Sequence, residues 1–463
     1  MKPPDLPIST AEPQVMHIDL NSCFAIIEQQ GNRLLRGKLV GVAAYATPRG
    51  FVLAASYEAK RLGVKLGVNV QEARQMCPGI IILTPDPSKY REAHLRFKEL
   101  MLEYTSEVVP KSIDEFVLNL NNSPVLRHYV EKMQLQHNPS ISKTRSWKQS
   151  KGEVVGMAME EIGREIKDKI RERLGEAVTV NVGIGPNRFL AKFAAGFGKP
   201  DGMRRIDHTN LEQTYYGMDI TDLPGINVRY RRRLQEYGIM TPLDFLHAER
   251  RVLEKVVFKS IVGYYWYLRL RGYEIDKFES RRGQIGHQYA LPHKTADRDE
   301  LARLLMKLCE KVGRRLRKEG LTAGGIHLYF SFMSYQEYGH KDNGFIGGEN
   351  LKSKTAWHHG EKVGYRLYST ESVYRAAKSI LARAELYSKV RGMSITTFDL
   401  APADPEQLSL LNNERSFAAE RHISDAVDEI NNRYGEFVIT PATMLDMQGE
   451  IIDRIAFGNV RDV

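Results

Sequence analysis

Apolar positions in the first part of the chain form short continuous runs, separated by stretches with helical spacing. Short apolar runs bounded by turn formers are typical of buried strands. The predicted strands cover residues 16–20, 39–46, 51–55, 80–83, 113–118 and 177–184. Apolar residues at helical spacing predict helices over residues 22–29, 57–62, 69–76, 89–107, 156–174 and 187–197. This mixture of strands and helices indicates an α/β layered domain.

The rest of the chain divides into further regions by the same patterns. Residues 211–273 are helical with short loops. The block 284–400 has strands near 284–290, 326–333 and 390–400 and helices at 299–318 and 372–386, which predicts a small α+β domain. A helix near 423–434 lies in the tail, residues 401–463. Residues 121–151 begin with turn formers and become rich in Ser, Lys and Arg, so we expect a mostly exposed insertion.

The composition of the chain indicates which class of partner it binds. The chain has 463 residues and a net charge of +10, which favours a polyanion such as nucleic acid. Hydrophobic residues make up 42% and charged residues 27%, as in soluble proteins. No apolar stretch is long enough to cross a membrane, and the N-terminus does not resemble a secretory signal. Cys23, Cys77 and Cys309 are far apart, so we expect buried thiols in a reducing compartment rather than disulfides or a zinc site.

Three acidic residues lie at the ends of predicted strands. Asp19 ends one apolar strand, and Asp114 and Glu115 begin another. If these strands are neighbours, the three carboxylates meet at one edge of the sheet, where a divalent cation such as Mg²⁺ or Mn²⁺ would balance their charge. Two such ions can activate a 3′-hydroxyl and stabilise a leaving pyrophosphate. On spacing alone, the alternative is that each acid caps a helix or turn, or pairs with a Lys or Arg.

Five sequence blocks around these acids resemble the motifs of one enzyme family. They are HIDLNSCF at 17–24, SYEAKRLGV at 56–64, SIDE at 112–115, GIGPNRFLAK at 183–192 and GKPDG at 198–202. In order and approximate spacing they resemble the Y-family DNA polymerases, the superfamily of bacterial polymerase IV and the polymerase V catalytic subunit. The SIDE block matches the family's second catalytic motif letter for letter. The resemblance covers most of residues 16–400, and its strong motifs lie in the first half.

The resemblance implies an α+β multidomain fold arranged as a right hand. The expected domains are a palm of mixed sheet and helices (14–22 and 89–205), fingers (23–88), a helical thumb (206–275), an α+β little finger (283–400) and a tail (401–463). It also implies template-directed DNA synthesis of low fidelity past damaged bases, a DNA-repair activity of the SOS response. The family has no proofreading nuclease, and no second acid cluster in the sequence suggests one.

By the same resemblance, Asp19, Asp114 and Glu115, together with the Leu20 carbonyl, would hold two magnesium ions, with manganese as a substitute. Phe24 occupies the position of the family's steric gate, an aromatic ring that would clash with the 2′-hydroxyl of a ribonucleotide. Without the family, the expected role of an aromatic residue on this early helix is core packing.

The resemblance also implies a triphosphate site. Tyr57 would hydrogen-bond the triphosphate, and Lys60 and Lys199 would neutralise its charge. Two positions depart from the common family pattern. Lys60 stands where many members have Arg and cannot bind bidentately as Arg does. Asn21 stands where many members carry another acid, although Asn also occurs in the polymerase V branch.

Residues 223–227, LPGIN, and the following basic segment resemble a helix-hairpin-helix, which points backbone N–H groups at a DNA phosphate. Gly225, Asn227 and Arg231 are the expected contacts. Asn227 replaces the second hairpin glycine, and Asn tolerates a positive φ better than most residues. The alternative is an ordinary loop followed by a solvated basic helix. The pair His358-His359 lacks further ligands at metal spacing, so we interpret it as loop polarity.

Residues 407–411, QLSLL, resemble the bacterial peptide that binds the sliding clamp, with Gln407, Leu408, Leu410 and Leu411 as contacts. The expected partners are therefore primer–template DNA, deoxynucleoside triphosphates and the clamp. We expect a cytoplasmic monomer without membrane contact. The basic insertion, which contains Trp147, would contact DNA or a partner, or remain a solvated loop.

Two other functions remain open from the residues. One is a catalytically inactive accessory relative that binds DNA or the clamp. The other is a two-metal nuclease or cyclase that uses the same acids. The presence of all three acids and of the aromatic Phe24 argues against the first. Tyr57, Lys60 and Lys199 favour a triphosphate substrate, which argues against the second. The motifs leave open whether the chain is closer to polymerase IV or to polymerase V, and whether it needs accessory subunits.

Overall fold

The structure, a computed structural model, describes residues 6–48, 50–136, 151–276, 283–332, 355–403, 414–435, 438–445 and 447. The chain divides into unit 1, Met1–Glu279 with Arg454–Val463, and unit 2, Ser280–Asp453. Both units combine helices with mixed or antiparallel sheets, so the predicted α+β multidomain class is confirmed.

Unit 1 interleaves short strands with helices and becomes wholly helical after its last strand. The strands are β1 Val15–Leu20, β2 Val40–Ala43, β3 Val52–Ala55, β4 Ile81–Leu83, β5 Val108–Pro110, β6 Glu115–Asn119, β7 Val180–Gly185 and β8 Met203–Arg205. The helices are α1 Cys23–Gly31, α2 Tyr57–Arg61, α3 Val70–Met76, α4 Pro87–Leu102, α5 Pro124–Gln136, α6 Lys151–Arg173, α7 Arg188–Ala194, α8 Leu211–Tyr215, α9 Val228–Gln235, α10 Pro242–His247 and α11 Ile261–Leu270.

The central sheet of unit 1 has the strand order β5-β6-β1-β7-β8. Strand β1 runs antiparallel to both β6 and β7. Its alternate residues Met16, Ile18 and Leu20 enter a large apolar core with buried residues of α4 and α6. Because side chains alternate between the faces of a strand, Asp19 points to the opposite face.

Helix α7 covers part of that opposite face, and two glycines permit its close approach. A Cβ at Gly183 would lie 2.0 Å from the Ala191 carbonyl oxygen, and a Cβ at Gly185 would lie 2.8 Å from the Ala191 nitrogen. Helix α7 can therefore pack directly on the backbone of β7. Its last turn carries Lys192 beside the end of β1 that bears Asp19.

A smaller sheet, β3-β2-β4, follows the first helix. Strands β2 and β3 pair in antiparallel fashion, so the predicted hairpin is confirmed. Helices α2 and α3 flank this sheet, and Cys77 lies in its small core. The later part of unit 1 is helical, as predicted, and α8 to α11 share a core that contains Phe245, Trp266 and Tyr267.

Unit 2 contains a four-stranded antiparallel sheet among its described residues, with order β11-β10-β12-β9. Two helices, α12 and α13, pack on one face and bury an extensive apolar core, as the sequence predicts. The elements are β9 Gln284–Thr295, α12 Arg298–Lys318, β10 Leu321–Phe332, β11 Ala356–Leu367, α13 Thr370–Ala382, β12 Val390–Pro402 and α14 Glu414–Tyr434.

The C-terminal segment is attached to α12 through polar contacts. Arg317, whose side chain is 4% exposed, donates to both Asp428 oxygens of α14 at 2.6 and 2.9 Å. The buried Lys307 ammonium donates to the Met447 carbonyl at 2.6 Å. Helix α14 is therefore part of unit 2.

The insertion at 121–151 is mostly exposed over residues 121–135, as predicted, but the alternative of a solvated loop is wrong for this first part. Residues Pro124–Gln136 form helix α5, which packs on α6 and buries Leu126. The turn formers that suggested a loop start the helix instead, because the Ser123 hydroxyl accepts from the backbone N–H groups of Val125 and Leu126. Trp147 lies outside the described residues.

The interpretation of His358-His359 as part of a loop is also wrong, because both lie in strand β11. This strand is at the edge of its sheet and is largely exposed, so it lacks the apolar alternation that identifies half-buried strands. A further strand, β5, was not predicted: the helix expected at 89–107 ends at Leu102, and β5 follows at Val108–Pro110.

The three cysteines are buried free thiols, as predicted. Burial raises the pKa of the Cys23 and Cys309 thiols well above the usual range. No helix in the described ranges has both the length and the apolar character needed to cross a membrane.

Candidate active site

The three predicted acids meet at one edge of the central sheet. Strands β1 and β6 place Asp19 directly opposite Glu115, and the Leu20 N–H donates to the Asp114 carbonyl at 2.8 Å. Because β1 ends where β6 begins, the three acids lie near one another at this edge of the sheet. The juxtaposition expected from the sequence is therefore present.

Two of the carboxylates are paired with lysines. The Lys199 ammonium lies 2.6 Å from Asp19 Oδ2, and the Lys192 ammonium lies 2.9 and 2.8 Å from the two oxygens of Glu115. Asp114 accepts from the Ser112 hydroxyl. The site thus alternates negative and positive groups within a few ångströms.

Burial and mutual repulsion perturb the carboxyl groups. Burial, reinforced by the charges of Asp19 and Glu115, raises the pKa of Asp114 to about 6. Burial also raises the pKa of Asp19, although Lys199 opposes the rise. Burial acts to raise the pKa of Glu115 too, but the hydrogen bonds and charge of Lys192 hold it below its usual value.

His17 lies on the same face of β1 as Asp19. Its side chain is buried, and its Nε2 is 3.9 Å from Glu115 Oε2, too far for a hydrogen bond. Neither ring nitrogen has a hydrogen-bond partner within the described part of the chain. Burial lowers the pKa of His17 to about 4, so the ring is neutral at physiological pH.

The acids suit a hard divalent cation by their chemistry. Their oxygen ligands are those that Mg²⁺ prefers, and the raised pKa values of Asp19 and Asp114 mark a site where added positive charge is favourable. Among the residues that the structure describes, no three His, Cys, Asp or Glu side chains are arranged so that they could hold a metal ion together. The lysines that hold Asp19 and Glu115 act as the cations in this arrangement.

The residues predicted to bind a triphosphate lie beside the acids. The Lys60 ammonium donates to the Ser22 hydroxyl at 2.7 Å and lies 4.6 Å from the centre of the Tyr57 ring. Burial lowers the pKa of Lys60, and the nearby charge of Lys199 lowers it further. The Tyr57 hydroxyl is close enough to Asp19 for that charge to add to the effect of burial in raising its pKa. Two ammonium groups and a phenol therefore adjoin the carboxylates.

Phe24 is fully buried and stacks on Tyr90, with ring centroids 4.3 Å apart and an interplanar angle of 12°. This is the core-packing position that the sequence left open for an aromatic residue on α1. The steric-gate role remains a prediction, and it requires that the ring become accessible to a nucleotide sugar.

Two residues of the site were not assigned from the sequence. Lys192 belongs to a quoted motif block, yet its pairing with Glu115 depends on how α7 lies across the sheet. The pairing of β1 with β7 places Asn181 in the site, because it sets Asn181 opposite Asp19 and next to Asn21. A polar residue in an otherwise apolar strand was the available signal.

The helix-hairpin-helix-like element has one of its two expected turn features. Gly225 has φ +93°, a conformation that favours glycine. Asn227 has φ −99° and caps α9, its side chain accepting from the N–H groups of Arg229 and Tyr230 at 3.0 Å. The expectation of a positive φ at Asn227 is therefore wrong, because the residue is needed as a helix cap. Arg231 forms an ion pair with Asp219 at 3.3 Å.

The clamp-like peptide, with Gln407, Leu408, Leu410 and Leu411, lies outside the described residues. It stays a prediction from the sequence.

Comparison with known proteins links this geometry to one family. Residues 18–196 match the impB/mucB/samB family, and residues 282–410 match the C-terminal domain of the same family. The chain is 29% identical over 447 residues to DNA polymerase IV of Pelotomaculum thermopropionicum, covering 95% of this chain and 97% of that protein. It is also 29% identical over 446 residues to DNA polymerase IV of Moorella thermoacetica, covering 94% and 97%. A solved Y-family DNA polymerase chimera matches with a TM-score of 0.63 and 25% identity, covering 84% of this chain and 99% of the chimera.

Proposed function

The chain belongs to the Y family of DNA-directed DNA polymerases, and we propose that it copies damaged templates by two-metal nucleotidyl transfer at Asp19, Asp114 and Glu115. The observation that carries the proposal is the register of β1 and β6, which sets Asp19 opposite Glu115 beside Asp114. Two lysines and a tyrosine lie next to this carboxylate cluster, as a triphosphate substrate requires.

Y-family polymerases use divalent metal ions, and we propose that Asp19, Asp114 and Glu115, with the Leu20 carbonyl, hold two magnesium ions, for which manganese can substitute. When bound, the ions supply Lewis-acid activation of the 3′-hydroxyl and charge stabilisation of the leaving group. The primer 3′-oxygen forms a bond to the α-phosphorus as the bond to the bridging oxygen breaks, so pyrophosphate leaves and the hydroxyl proton passes to water. The carboxylates orient the reacting groups in line.

The incoming deoxynucleoside triphosphate is proposed to contact Tyr57, Lys60 and Lys199. Lys199 lies within ion-pair distance of Asp19, so its ammonium is already beside the carboxylates at which the triphosphate is proposed to bind. Lys60 is held over the Tyr57 ring, which keeps its ammonium beside the acids. Phe24 is proposed to exclude ribonucleotides once its ring faces the sugar.

Primer–template DNA is the proposed polymeric substrate. The net charge of +10 favours a polyanion, and α9 exposes Arg229, Arg232 and Arg233 next to the Gly225 turn. Gly225, Asn227 and Arg231 are proposed to lie at the DNA backbone, although the Asn227 cap already uses two of the N–H groups of the helix. We further propose sliding-clamp binding through residues 407–411, a monomeric state, and action in the bacterial cytoplasm, where the polymerase IV relatives would operate.

Primer extension tests the proposal directly. Purified protein with Mg²⁺ and deoxynucleotides is expected to extend a primer on undamaged DNA and past an abasic site. Asp114→Ala is expected to abolish both activities, because it removes a ligand from the carboxylate cluster. Asp168→Ala is the matched control, since Asp168 is a 76% exposed acid on α6.

The outcomes separate the parts of the proposal. Extension of undamaged DNA with arrest at the abasic site would retain the polymerase and refute bypass of that lesion. Equal activity of Asp114→Ala and wild type would refute the assigned site. A wild-type protein that binds DNA but extends no primer, even with the clamp added, would favour an inactive accessory relative.

A further inference from the structure

Two asparagines lie side by side beneath the active site and are almost fully buried. Asn21 follows β1 and Asn181 lies in β7, with exposures of 1% and 0%. The Asn21 amide nitrogen donates to Asn181 Oδ1 at 3.1 Å. Buried side-chain amides are costly unless all of their polar atoms are satisfied. Their remaining contacts should therefore reveal what they hold.

Apart from a hydrogen bond between Asn21 and the Tyr57 hydroxyl, those contacts go to one loop, residues 197–202. Asn21 Oδ1 accepts from the Asp201 N–H at 2.8 Å. Asn181 Oδ1 accepts from the Gly202 N–H at 3.0 Å, and its amide nitrogen donates to the Phe197 carbonyl at 2.7 Å. The two side chains thus bind both ends of the loop. The first end is held through the Phe197 carbonyl, and the second end through the N–H groups of Asp201 and Gly202.

The backbone partners determine which way each amide must face. A backbone N–H can only donate and a backbone carbonyl can only accept. Asn181 must therefore present its oxygen to Gly202 and its nitrogen to Phe197, which leaves that oxygen facing Asn21. Asn21 must consequently donate to Asn181 and accept from Asp201. A carboxylate at position 21 could supply the second contact but not the first.

The loop carries Lys199 at its centre, two residues before Asp201. The Lys199 ammonium is 2.6 Å from Asp19 Oδ2. The loop has little freedom on its other sides. A Cβ at Gly202 would lie 2.4 Å from the Phe197 carbonyl oxygen, and the Lys167 ammonium of α6 lies 3.2 Å from Asp201 Oδ1. Displacement of the amide pair would therefore move Lys199 together with the loop.

We propose that Asn21 and Asn181 are positioning residues that hold the Lys199 loop, and thereby set the affinity of the site for the triphosphate of the incoming nucleotide. This inference rests on the proposed function. Asn21→Asp is the informative change, because it preserves size and the acceptor for Asp201 but places a carboxylate oxygen against Asn181 Oδ1. Rotation of the Asn181 amide cannot relieve the repulsion. The rotated amide would turn its NH2 group toward the Gly202 N–H and its oxygen toward the Phe197 carbonyl, and neither pair can form a hydrogen bond.

The test is a double-mutant cycle between Asn21→Asp and Lys199→Ala, read as the KM for a deoxynucleotide and as its equilibrium Kd with Ca²⁺ and a primer–template. In the chain that retains Lys199, Asn21→Asp is expected to raise both constants ~10-fold, with kcat lowered less than ~3-fold. In the Lys199→Ala background, the same change is expected to raise them less than ~2-fold, because residues that act through one group are not additive. Asn121→Asp, at an exposed position, is the matched charge control and should change neither constant.

Additive effects of the two substitutions would overturn the proposal, as would a fall in kcat with unchanged KM and Kd. Asn181→Asp and Asn21→Ala provide the same cycle if Asn21→Asp does not fold, which circular dichroism and thermal unfolding will show. Failure of the proposed function has a different signature, because wild-type protein would then extend no primer. Wild-type extension with an unaltered Asn21→Asp variant would refute the positioning role alone.

Discussion

Replacing Asp114 with Asn is expected to stabilise the metal-free protein while removing its activity. Burial raises the pKa of Asp114 from its ordinary value of 3.8 to about 6, so the ionised form is disfavoured in the folded state. One pKa unit corresponds to about 1.4 kcal/mol, which sets an upper limit of about 3 kcal/mol on the cost at neutral pH. Because the side chain is only partly buried, we expect Asp114→Asn to gain about 1–2 kcal/mol at pH 8.

The pH dependence follows from the direction of the shift. A carboxyl whose pKa is raised in the folded state favours folding most when it is protonated. This contribution to the free energy of unfolding is complete below the unfolded-state pKa near 3.8 and is lost as the pH rises through the folded-state pKa of about 6. The wild type therefore carries the whole cost at pH 8 and about half of it at pH 5. The advantage of Asp114→Asn should shrink by about half between these two conditions.

Urea unfolding in EDTA at pH 8 and pH 5 measures the difference in unfolding free energy between variant and wild type. The unfolding is monitored by a signal that comes from unit 1. Primer extension by the variant should fall at least ~10³-fold, since loss of a charged metal ligand removes several kcal/mol of transition-state stabilisation. Asp168→Asn, at a 76% exposed position, should change stability by less than about 0.5 kcal/mol. A destabilised Asp114→Asn, or the same gain at both pH values, would refute the reasoning.

Three further substitutions have defined outcomes. Asp428→Ala removes the carboxylate that pairs with the buried Arg317 guanidinium and should destabilise unit 2 by about 3–5 kcal/mol. If α14 detaches instead, limited proteolysis would show new cleavage in that helix. Gly183→Ala forces α7 away from β7 and should cost about 3 kcal/mol or more in chemical denaturation, whereas Gly152→Ala, with open space around it, should not destabilise. Phe24→Ala should raise ribonucleotide incorporation relative to deoxynucleotide at least ~10-fold if the ring faces the sugar, and unchanged selectivity would leave Phe24 as a core residue only.

The sequence predicted those parts of the fold in which local pattern and burial agree. Strand β1 is an apolar run with one acid, and its neighbours β6 and β7 are also buried, so their existence and the approach of Asp19 to Glu115 could be anticipated. Helix α12 similarly buries one continuous apolar face. In these elements the periodicity reflects the core that the side chains enter.

The predictions from sequence failed where the residue types of a segment do not show its environment in the fold. Strand β11 is an exposed edge, so its polar side chains carried no strand signal. The residues before α5 were interpreted as a loop because caps and turns use the same residue types. The partners of the acids depend on distant elements: Lys192 reaches Glu115 only because glycines allow α7 to lie close to β7.

The burial of every native thiol makes the chain suitable for site-specific fluorophores. Cys23, Cys77 and Cys309 are enclosed in apolar cores, and burial holds the pKa of two of them far above neutrality, so maleimide reagents should find almost no reactive thiolate in the folded protein. A cysteine introduced at an exposed position in each unit would accept a dye without prior removal of the native residues. Energy transfer between such a pair would then report any change in the distance between the two dyes as DNA and nucleotide are added.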